Sequence, residues 1–153
     1  MPDTHAQIVE VDTSDKAPRR FVFVLLDQFT MLCFACAVES LRIANRMAGK
    51  TVYEWRVFGE GGETVSCSAG IQYQVTSDLD VVARDETIVL CGGIDVAAAT
   101  TKKLLSWLRR ETRKGATVGG LCTAAYSLAQ AGLLDGKKAV SYTHLTLPTI
   151  YSV

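Results

Sequence analysis

The sequence predicts an α/β protein, a three-layer sandwich built on a mainly parallel sheet. Two runs, "RFVFVLLDQ" from Arg20 and "DETIVLCGG" from Asp85, are almost continuously apolar, which is typical of strands buried on both faces of a parallel sheet. Segments with helical periodicity alternate with such runs along the 153 residues. Strands and helices in alternation favour one sheet with helices on its faces, joined by right-handed crossovers.

The first helix is predicted in "FTMLCFACAVESLRIANRMAGK", directly after the first strand. Thr30 fits the N-cap, and Gly49 fits the left-handed residue that follows a helix C-terminus. The apolar residues recur at steps of three and four, which places them on one face of the helix: Phe34, Ala37, Val38, Leu41 and Ala44.

The remaining elements follow the same alternation. "YEWRVFGE" and "ATVGG" are predicted to be strands, and "TVSCSAGIQYQVTSDL" to be an edge hairpin that turns at Ala69 and Gly70. A helix over 100–114 turns Leu104, Leu105 and Leu108 inward, and a last helix over 123–131 ends at Gly132. Trp107 stands among charged residues and is expected to be partly exposed.

Composition excludes several classes of function. The chain has 16 Lys and Arg against 16 Asp and Glu, so it has no basic field to hold nucleic acid. The helix "TKKLLSWLRRETRK" contains Glu111 beside its basic residues and is interpreted as a solvated face. No apolar run approaches the ~20 residues of a membrane span, and the N-terminus lacks the apolar core of a signal peptide. We therefore expect a soluble, cytoplasmic protein with no membrane partner.

The cysteines do not predict a metal centre. The chain has five cysteines and two histidines, and the pair Cys33 and Cys36 in "CFAC" has no second ligand pair. No metal and no cofactor is expected. We expect the cysteines to be reduced, which agrees with a cytoplasmic location.

The chain divides into three parts by composition. Residues 1–18 are expected to be a flexible leader, and residues 19–140 to form the ligand-binding domain, incomplete at its C-terminus. The segment 141–153, "SYTHLTLPTIYSV", breaks the pattern where a buried strand should follow. It resembles the translated read-through of a sequencing adapter and is interpreted as a non-native tail; a genuine irregular C-terminus is the alternative. Lowered stability or aggregation is expected of such a chain.

"Gly120-Leu121-Cys122-Thr123-Ala124" has the pattern of a nucleophile elbow, a sharp turn from a strand into a helix. The small flanking residues suit the crowded backbone of such a turn, and a helix N-terminus lowers the pKa of a thiol. Three interpretations of Cys122 remain open: a small half-buried residue, a binding residue, or a nucleophile.

Catalysis by Cys122 requires a general base beside the thiol. Of the two histidines, His5 lies in the leader and His144 in the suspect tail, and the residue after the cysteine is Thr123. We therefore predict no catalytic residue.

Three blocks together resemble the ThiJ/PfpI superfamily, which has the class I glutamine amidotransferase-like (flavodoxin-like) fold: "FTMLCFACAVESLRIANR", "TIVLCGGIDV" and "GGLCTAAYSLAQAGLLDGKKA". More closely, they resemble the N-terminal domain of GlxA-type regulators of the AraC family. The likeness covers about residues 20–140. It implies a bacterial sensor domain whose DNA-binding part, two helix-turn-helix motifs, lies outside this chain.

The resemblance also assigns site residues. Cys122 matches the elbow cysteine of the superfamily. Thr123 replaces the histidine of the peptidase-like members, and the glutamate that contacts the thiol in other branches falls near Cys33. Gly92 and Gly93 match a pair that presents backbone N–H groups toward the elbow, where they would hold a carboxylate or an oxyanion; a plain strand-to-helix turn is the alternative.

Three further residues complete the predicted ligand site. Gln28 and Thr30 belong to "DQFTM", the loop after the first strand, and ligands bind such folds beyond the carboxyl ends of parallel strands. Tyr126 follows Cys122 by one helical turn and is the preferred aromatic contact for a cationic ligand. Core or edge packing is favoured for the strand residues Trp55 and Tyr73.

The predicted function is sensing by a domain that is not an enzyme. Family members with a block similar to "FTMLCFA" respond to betaine, carnitine or arginine, which implies a small nitrogenous effector. A homodimer is expected, and contact with DNA only through the separate AraC-type domain. Two alternatives remain: a cysteine-dependent hydrolase or glyoxalase-like enzyme, and a redox-sensing or scaffolding domain.

Overall fold

A computed structural model describes residues 16–138 and contains one four-stranded sheet and one hairpin. The sheet strands are β1 (Arg19–Leu25), β2 (Tyr53–Gly59), β5 (Glu86–Cys91) and β6 (Thr117–Leu121). They are parallel and lie in the order β2-β1-β5-β6. The strands β3 (Thr64–Ser66) and β4 (Gln72–Gln74) form an antiparallel hairpin, as the sequence predicts.

The described residues also form four α-helices and one 3-10 turn. The helices are α1 (Met31–Ala48), α2 (Val96–Ala99), α3 (Lys102–Arg113) and α4 (Ala125–Gln130), and the 3-10 turn is Cys122–Ala124. The sequence does not predict the short α2, because four residues are too few to show a helical period.

The two faces of the sheet carry separate hydrophobic cores. Phe23 and Leu25 of β1 pack in one cluster with Phe34 of α1. The alternate residues Val22 and Val24 pack in the other cluster with residues of α3 and α4. Successive side chains of a strand point to opposite faces of the sheet. Since the interior of β1 is entirely apolar, the strand contributes apolar side chains to both faces, and helices pack on each of them. The predicted three-layer α/β sandwich is confirmed.

The strand order places a topological switch point between β1 and β5. From β1 the chain moves outward to β2, and it later returns to the other side of β1 to add β5 and then β6. Loops that leave the carboxyl ends of β1 and β5 therefore diverge, and a crevice opens between them. The segments after Leu25, Cys91 and Leu121 all reach this edge of the sheet.

The residues at the two ends of α1, Thr30 and Gly49, are the ones that the sequence predicts as its caps. Gly49 is left-handed, with φ 64°, and its N–H donates to the Arg46 carbonyl. Thr30 stands at the N-cap, but its side chain makes no capping hydrogen bond. The hydroxyl contacts Cys122 instead.

Two expectations for α3 are wrong. Trp107 is only 3% exposed, and its indole N–H donates to the Asp80 carbonyl at 2.8 Å. Glu111 is buried and accepts the Val82 N–H at 3.2 Å, with Arg110 Nε at 2.7 Å from its carboxylate. Both side chains lie on the inner face with Leu104 and Leu108, and the tertiary structure supplies the polar partners that allow their burial.

The leader and the tail lie largely beyond the described residues. Residues 16–18 precede β1 without helix or strand, and 1–15 and 139–153 are outside the described range. The predictions for these segments stay predictions. Within 16–138, the longest helix is not apolar enough to cross a lipid bilayer.

Candidate functional site

The loop after β1 forms one wall of the crevice at the carboxyl edge of the sheet. The Gln28 N–H donates to the Ser66 carbonyl at 2.8 Å, which ties the loop to the β3–β4 hairpin. The Thr30 N–H donates to the Gly92 carbonyl at 2.9 Å, which ties the same loop to the end of β5. Because both ends of the loop are bonded to rigid strands, the position of Thr30 is fixed relative to β5.

Three non-glycine residues of the described chain have positive φ, and all three follow a carboxyl end at this crevice. They are Gln28 with φ 60°, Asp95 with φ 55° and Cys122 with φ 56°. The left-handed conformation costs a non-glycine residue about 1–2 kcal/mol. Strain of this kind concentrates at functional sites, so the crevice is the best candidate site in the described chain.

Cys122 occupies the predicted elbow. It follows β6 and begins the 3-10 turn that leads into α4. Its thiol lies 3.4 Å from the hydroxyl of Thr30, the residue at the N-cap of α1. The elbow of β6 and the start of α1 therefore meet at the Cys122 sulfur.

The neighbouring thiols are in a poorly hydrated environment. Burial raises the pKa of Cys33, and the nearby Cys122 adds to the rise. Burial also raises the pKa of Cys91, at the end of β5, to about 12, with smaller contributions from Cys33 and Cys122. Both Cys33 and Cys91 are therefore protonated at neutral pH.

The described part of the chain has no histidine that could act as a general base for the elbow, since the two histidines lie outside residues 16–138. Thr123 is buried, and its hydroxyl donates to the Gly93 carbonyl at 2.8 Å. This hydrogen bond ties the elbow to the β5–α2 loop, so the Thr123 side chain holds the backbone of the site together.

Gly92 and Gly93 allow three segments to meet. A Cβ on Gly92 would lie 2.6 Å from the Ala124 nitrogen, and one on Gly93 would lie 2.0 Å from the Gln28 carbonyl oxygen. The Gly92 N–H donates to the Leu121 carbonyl, so it is not directed at a ligand. The pair therefore serves the close approach of the β1 loop and the elbow to the end of β5.

A cavity of about 480 Å³ adjoins the loop after β1. Gln28 lines it together with three acidic side chains, Asp27, Glu60 and Asp95, and no Lys or Arg is among its lining residues within 16–138. The site therefore has two parts that share one loop: Thr30 contacts the elbow thiol, and Gln28 borders an acidic cavity.

The aromatic residues considered in the sequence take part in packing. Tyr126 packs against the core under α3 and α4, and its hydroxyl accepts the side-chain N–H of Gln130 at 3.1 Å. Tyr73 packs edge-on against Phe34, with ring centroids 5.1 Å apart. Trp55 lines a larger cavity, of about 800 Å³, at the opposite, amino end of the strands. That cavity is far from the elbow and is not assigned to the same site.

Sequence reasoning missed four residues of the site. The sequence marks Cys33 only as the residue near a missing glutamate, whereas in the structure Cys122 is close enough to raise the pKa of its thiol. Asp27 lies in the predicted loop but is not among the predicted ligand residues, and no motif singles out Glu60 or Asp95. A usable signal existed, because each carboxylate follows the carboxyl end of a parallel strand by one to four residues, and such ends share one edge of the sheet.

Together, a doubly wound sheet, its switch-point crevice and a left-handed cysteine at a strand-to-helix elbow define the class of ThiJ/PfpI-like α/β proteins. The model of the DJ-1/PfpI family matches residues 19–151, and the chain belongs to that family. The predicted resemblance is confirmed.

Several relatives of the chain are named transcriptional regulators. It is 34% identical over 126 residues to the HTH-type transcriptional regulator GbdR of Pseudomonas aeruginosa. That alignment covers 82% of this chain and 34% of GbdR. It is 36% identical over 121 residues to the HTH-type transcriptional regulator GlxA of Rhizobium meliloti, 78% of this chain and 37% of the relative. The chain thus spans about a third of the length of these curated relatives.

A solved structure supports the fold. The AraC family transcriptional regulator from Pseudomonas putida superposes with a TM-score of 0.71 at 24% identity, covering 82% of this chain and 68% of that one. At this identity the likeness establishes the shared fold.

Proposed function

We propose that this chain is the ligand-sensing domain of a transcriptional regulator, and that it binds a small nitrogenous metabolite in the crevice beside Cys122. The observation that carries the proposal is the acidic cavity that shares the loop after β1 with the elbow: Asp27 and Gln28 line the cavity, and Thr30 of the same loop contacts the Cys122 thiol.

The acidic cavity supports the ligand class. Asp27, Glu60 and Asp95 give it negative charge, with no cationic side chain among its lining residues in the described chain. A quaternary ammonium or guanidinium group would gain Coulomb energy there. The side-chain amide of Gln28 also lines the cavity and can hydrogen-bond the remainder of a small metabolite.

The relatives support the regulatory role. The proteins GbdR and GlxA are named HTH-type transcriptional regulators, and the alignments cover most of this chain. In the proposed mechanism, the effector shifts a homodimer between two arrangements, and the shift is passed to an AraC-type DNA-binding domain outside this chain.

Thermal unfolding with a panel of candidate effectors tests the proposal. Glycine betaine, carnitine and arginine are compared with acetate, which has a carboxylate but no cationic nitrogen. A ligand at 100 times its Kd stabilises a folded domain by about 2.7 kcal/mol, which for a chain of this size raises Tm by roughly 5–10 °C. Stabilisation by a cationic compound, without turnover, is the expected result.

Two charge-neutralising variants locate the site. Asp27→Asn and Glu60→Gln are expected to weaken binding about tenfold or more, since each removes one charge from the cavity. Asp85→Asn is the matched control, because this exposed carboxylate pairs with Arg20 at the amino end of the strands. Equal weakening by all three variants, or no stabilisation by any cationic compound, would contradict the proposed site.

A second candidate, a cysteine-dependent hydrolase or glyoxalase-like enzyme, is favoured by one observation. Cys122 has the left-handed conformation of a nucleophile elbow, with φ 56°. Turnover of an ester or an α-oxoaldehyde that disappears in Cys122→Ala would establish the enzyme. Turnover that is absent or unchanged would leave the sensor.

A further inference from the structure

We infer that the acidic cavity takes an effector with two cationic nitrogen groups and no carboxylate, of the class of aliphatic diamines and guanidino-amines. The inference rests on the proposed sensor function and narrows the ligand class named there. The starting observation is a mismatch of charge. A zwitterion such as arginine or betaine would have to place its own carboxylate in a cavity that is lined by three carboxylates and by no Lys or Arg within residues 16–138.

The protein does not neutralise the carboxylates of this cavity. Asp27, Glu60 and Asp95 are exposed at its rim. They take part in none of the ion pairs formed within residues 16–138. Asp95 stands at the N-cap position of α2, but its side chain makes no capping hydrogen bond. The cavity therefore presents negative charge that a bound cation would balance and that would repel an anionic group.

The N-terminus of α3, which would otherwise suit an anion, is already engaged at this cavity. Thr101 is the N-cap of α3, and its hydroxyl accepts the Leu104 N–H at 3.0 Å. The same hydroxyl donates to the Glu60 carboxylate at 2.6 Å. Because Glu60 holds the place at the helix end that a ligand carboxylate would need, a zwitterion loses the contact that could offset the repulsion.

Apolar side chains line the cavity between the carboxylates. Leu25, Leu26, Val65 and Leu104 contribute to this lining, and all four are buried. Burial of apolar surface contributes about 25 cal/mol per Å², so such a lining suits the aliphatic chain that joins two nitrogen groups. The volume of about 480 Å³ lies within the range of small-molecule sites.

The carboxylates are spread around the rim. They come from three different segments, the loops that follow β1, β2 and β5. Within residues 16–138, no three acidic side chains are grouped as closely as a metal ion requires. Separate carboxylates match separate cationic groups along an extended ligand better than they match a single point charge.

The test compares matched ligands by isothermal titration calorimetry on the 153-residue chain. Agmatine is arginine without its carboxylate, and cadaverine is lysine without its carboxylate, so each pair isolates that one group. We expect agmatine and cadaverine to bind at least tenfold more tightly than arginine and lysine, because the repulsion by three carboxylates is removed. n-Pentylamine, which has only one cationic group, is expected to bind at least tenfold more weakly than cadaverine.

The variant Glu60→Gln changes the charge of the rim while preserving its shape. The glutamine carbonyl can still accept the Thr101 hydroxyl, and Thr101 still caps α3. The preference for agmatine over arginine is expected to fall about threefold, since one of the three repelling charges is removed. Asp85→Asn is the matched control, because this exposed carboxylate pairs with Arg20 at the amino end of the strands, and it should leave the preference unchanged. Circular dichroism shows whether each variant is folded before it is scored.

The outcomes separate this inference from the sensor proposal. Equal affinity for arginine and agmatine, or tighter binding of the amino acids, would overturn the inference and leave the sensor proposal standing. Failure of agmatine and cadaverine to bind would also overturn it, and the sensor proposal falls as well only if arginine, carnitine and betaine fail too. A preference that is the same in Glu60→Gln as in the wild type would show that this cavity does not discriminate, which overturns the inference.

Discussion

Gly93 offers the sharpest test of how the site is assembled. In Gly93→Ala, the new Cβ would lie 2.0 Å from the Gln28 carbonyl oxygen and 2.8 Å from the backbone of Phe29. Neither neighbour is a flexible side chain end, because both atoms belong to the loop held between the hairpin and β5. Relief of the clash requires the loop after β1 to move by about 1 Å or more.

The energetic consequence is the sum of two effects. Forcing a methyl group into close-packed backbone costs about 1–3 kcal/mol. Displacement of the loop also weakens the hydrogen bonds from Ile94 N–H to Gln28 and from Thr30 N–H to Gly92, of 3.2 and 2.9 Å, at about 1 kcal/mol each. We expect Gly93→Ala to lower the free energy of unfolding by about 3–5 kcal/mol, a large share of the stability of an ordinary domain.

Gly119→Ala is the matched control. A Cβ at Gly119 meets nothing within 4 Å, and its φ is not positive. Removing a glycine from a strand interior should leave stability unchanged or raise it by up to about 1 kcal/mol. The assay is urea unfolding followed by circular dichroism. With a slope near ~2 kcal/mol/M, Gly93→Ala should shift the midpoint down by roughly 2 M. Coincident midpoints for the two variants would refute this role of the glycine pair.

The remaining predictions concern buried polar groups. Glu111→Gln should lower stability by about 1–2 kcal/mol at pH 7. Burial alone would raise the pKa of the Glu111 carboxyl group. The hydrogen bonds from Arg110, the Val82 N–H and Lys114 outweigh burial and hold this pKa below its usual range. The stabilisation by Glu111 is present above the unfolded pKa of about 4.3 and is lost as pH falls. The urea midpoints of the wild type and of Glu111→Gln should therefore converge between about pH 7 and about pH 3. A difference in midpoint that stays constant over this range would contradict the prediction. Burial raises the pKa of Cys91 from its ordinary value of 9.0 to about 12. Stability should therefore be nearly constant up to about pH 8 and fall as pH rises toward about 12, by about 1.4 kcal/mol at about pH 10. Cys91→Ala should remove this part of the alkaline slope, and an unchanged slope would show that the thiol does not contribute. Trp107→Phe should cost about 1–3 kcal/mol, since it leaves the Asp80 carbonyl without its indole donor, and a variant as stable as the wild type in calorimetry would argue against that hydrogen bond.

Most of the fold follows from patterns within the sequence. Apolar runs without alternation predicted β1 and β5 as doubly buried strands, and helical periodicity with Thr30 and Gly49 at its ends predicted α1. These signals are local, because the period of apolar residues is set by the geometry of the element that carries them. The elbow was also recognisable, since a cysteine between small residues directly after a buried strand is typical of such a turn.

The burial of Trp107 and Glu111 was not predicted, because charged residues are frequent in this helix. The spacing of 104, 107, 108 and 111 does place both side chains on the inner face of α3, but a polar group is buried there only if a partner meets it. Each is buried because a distant backbone group meets it: the Asp80 carbonyl for the indole and the Val82 N–H for the carboxylate. The same segment, 80–82, is too irregular to be placed against α3 from sequence.

The sequence by itself determined the α/β class, the family resemblance and the elbow position of Cys122, since these depend on residue types at short spacings. Only the tertiary structure decided what surrounds the thiol. Thr30 meets Cys122 across 92 residues, and Asp27, Glu60 and Asp95 converge on one cavity. The physical reason is the parallel sheet: its strand order brings carboxyl ends that are far apart in the chain to one edge, and no local pattern encodes that order.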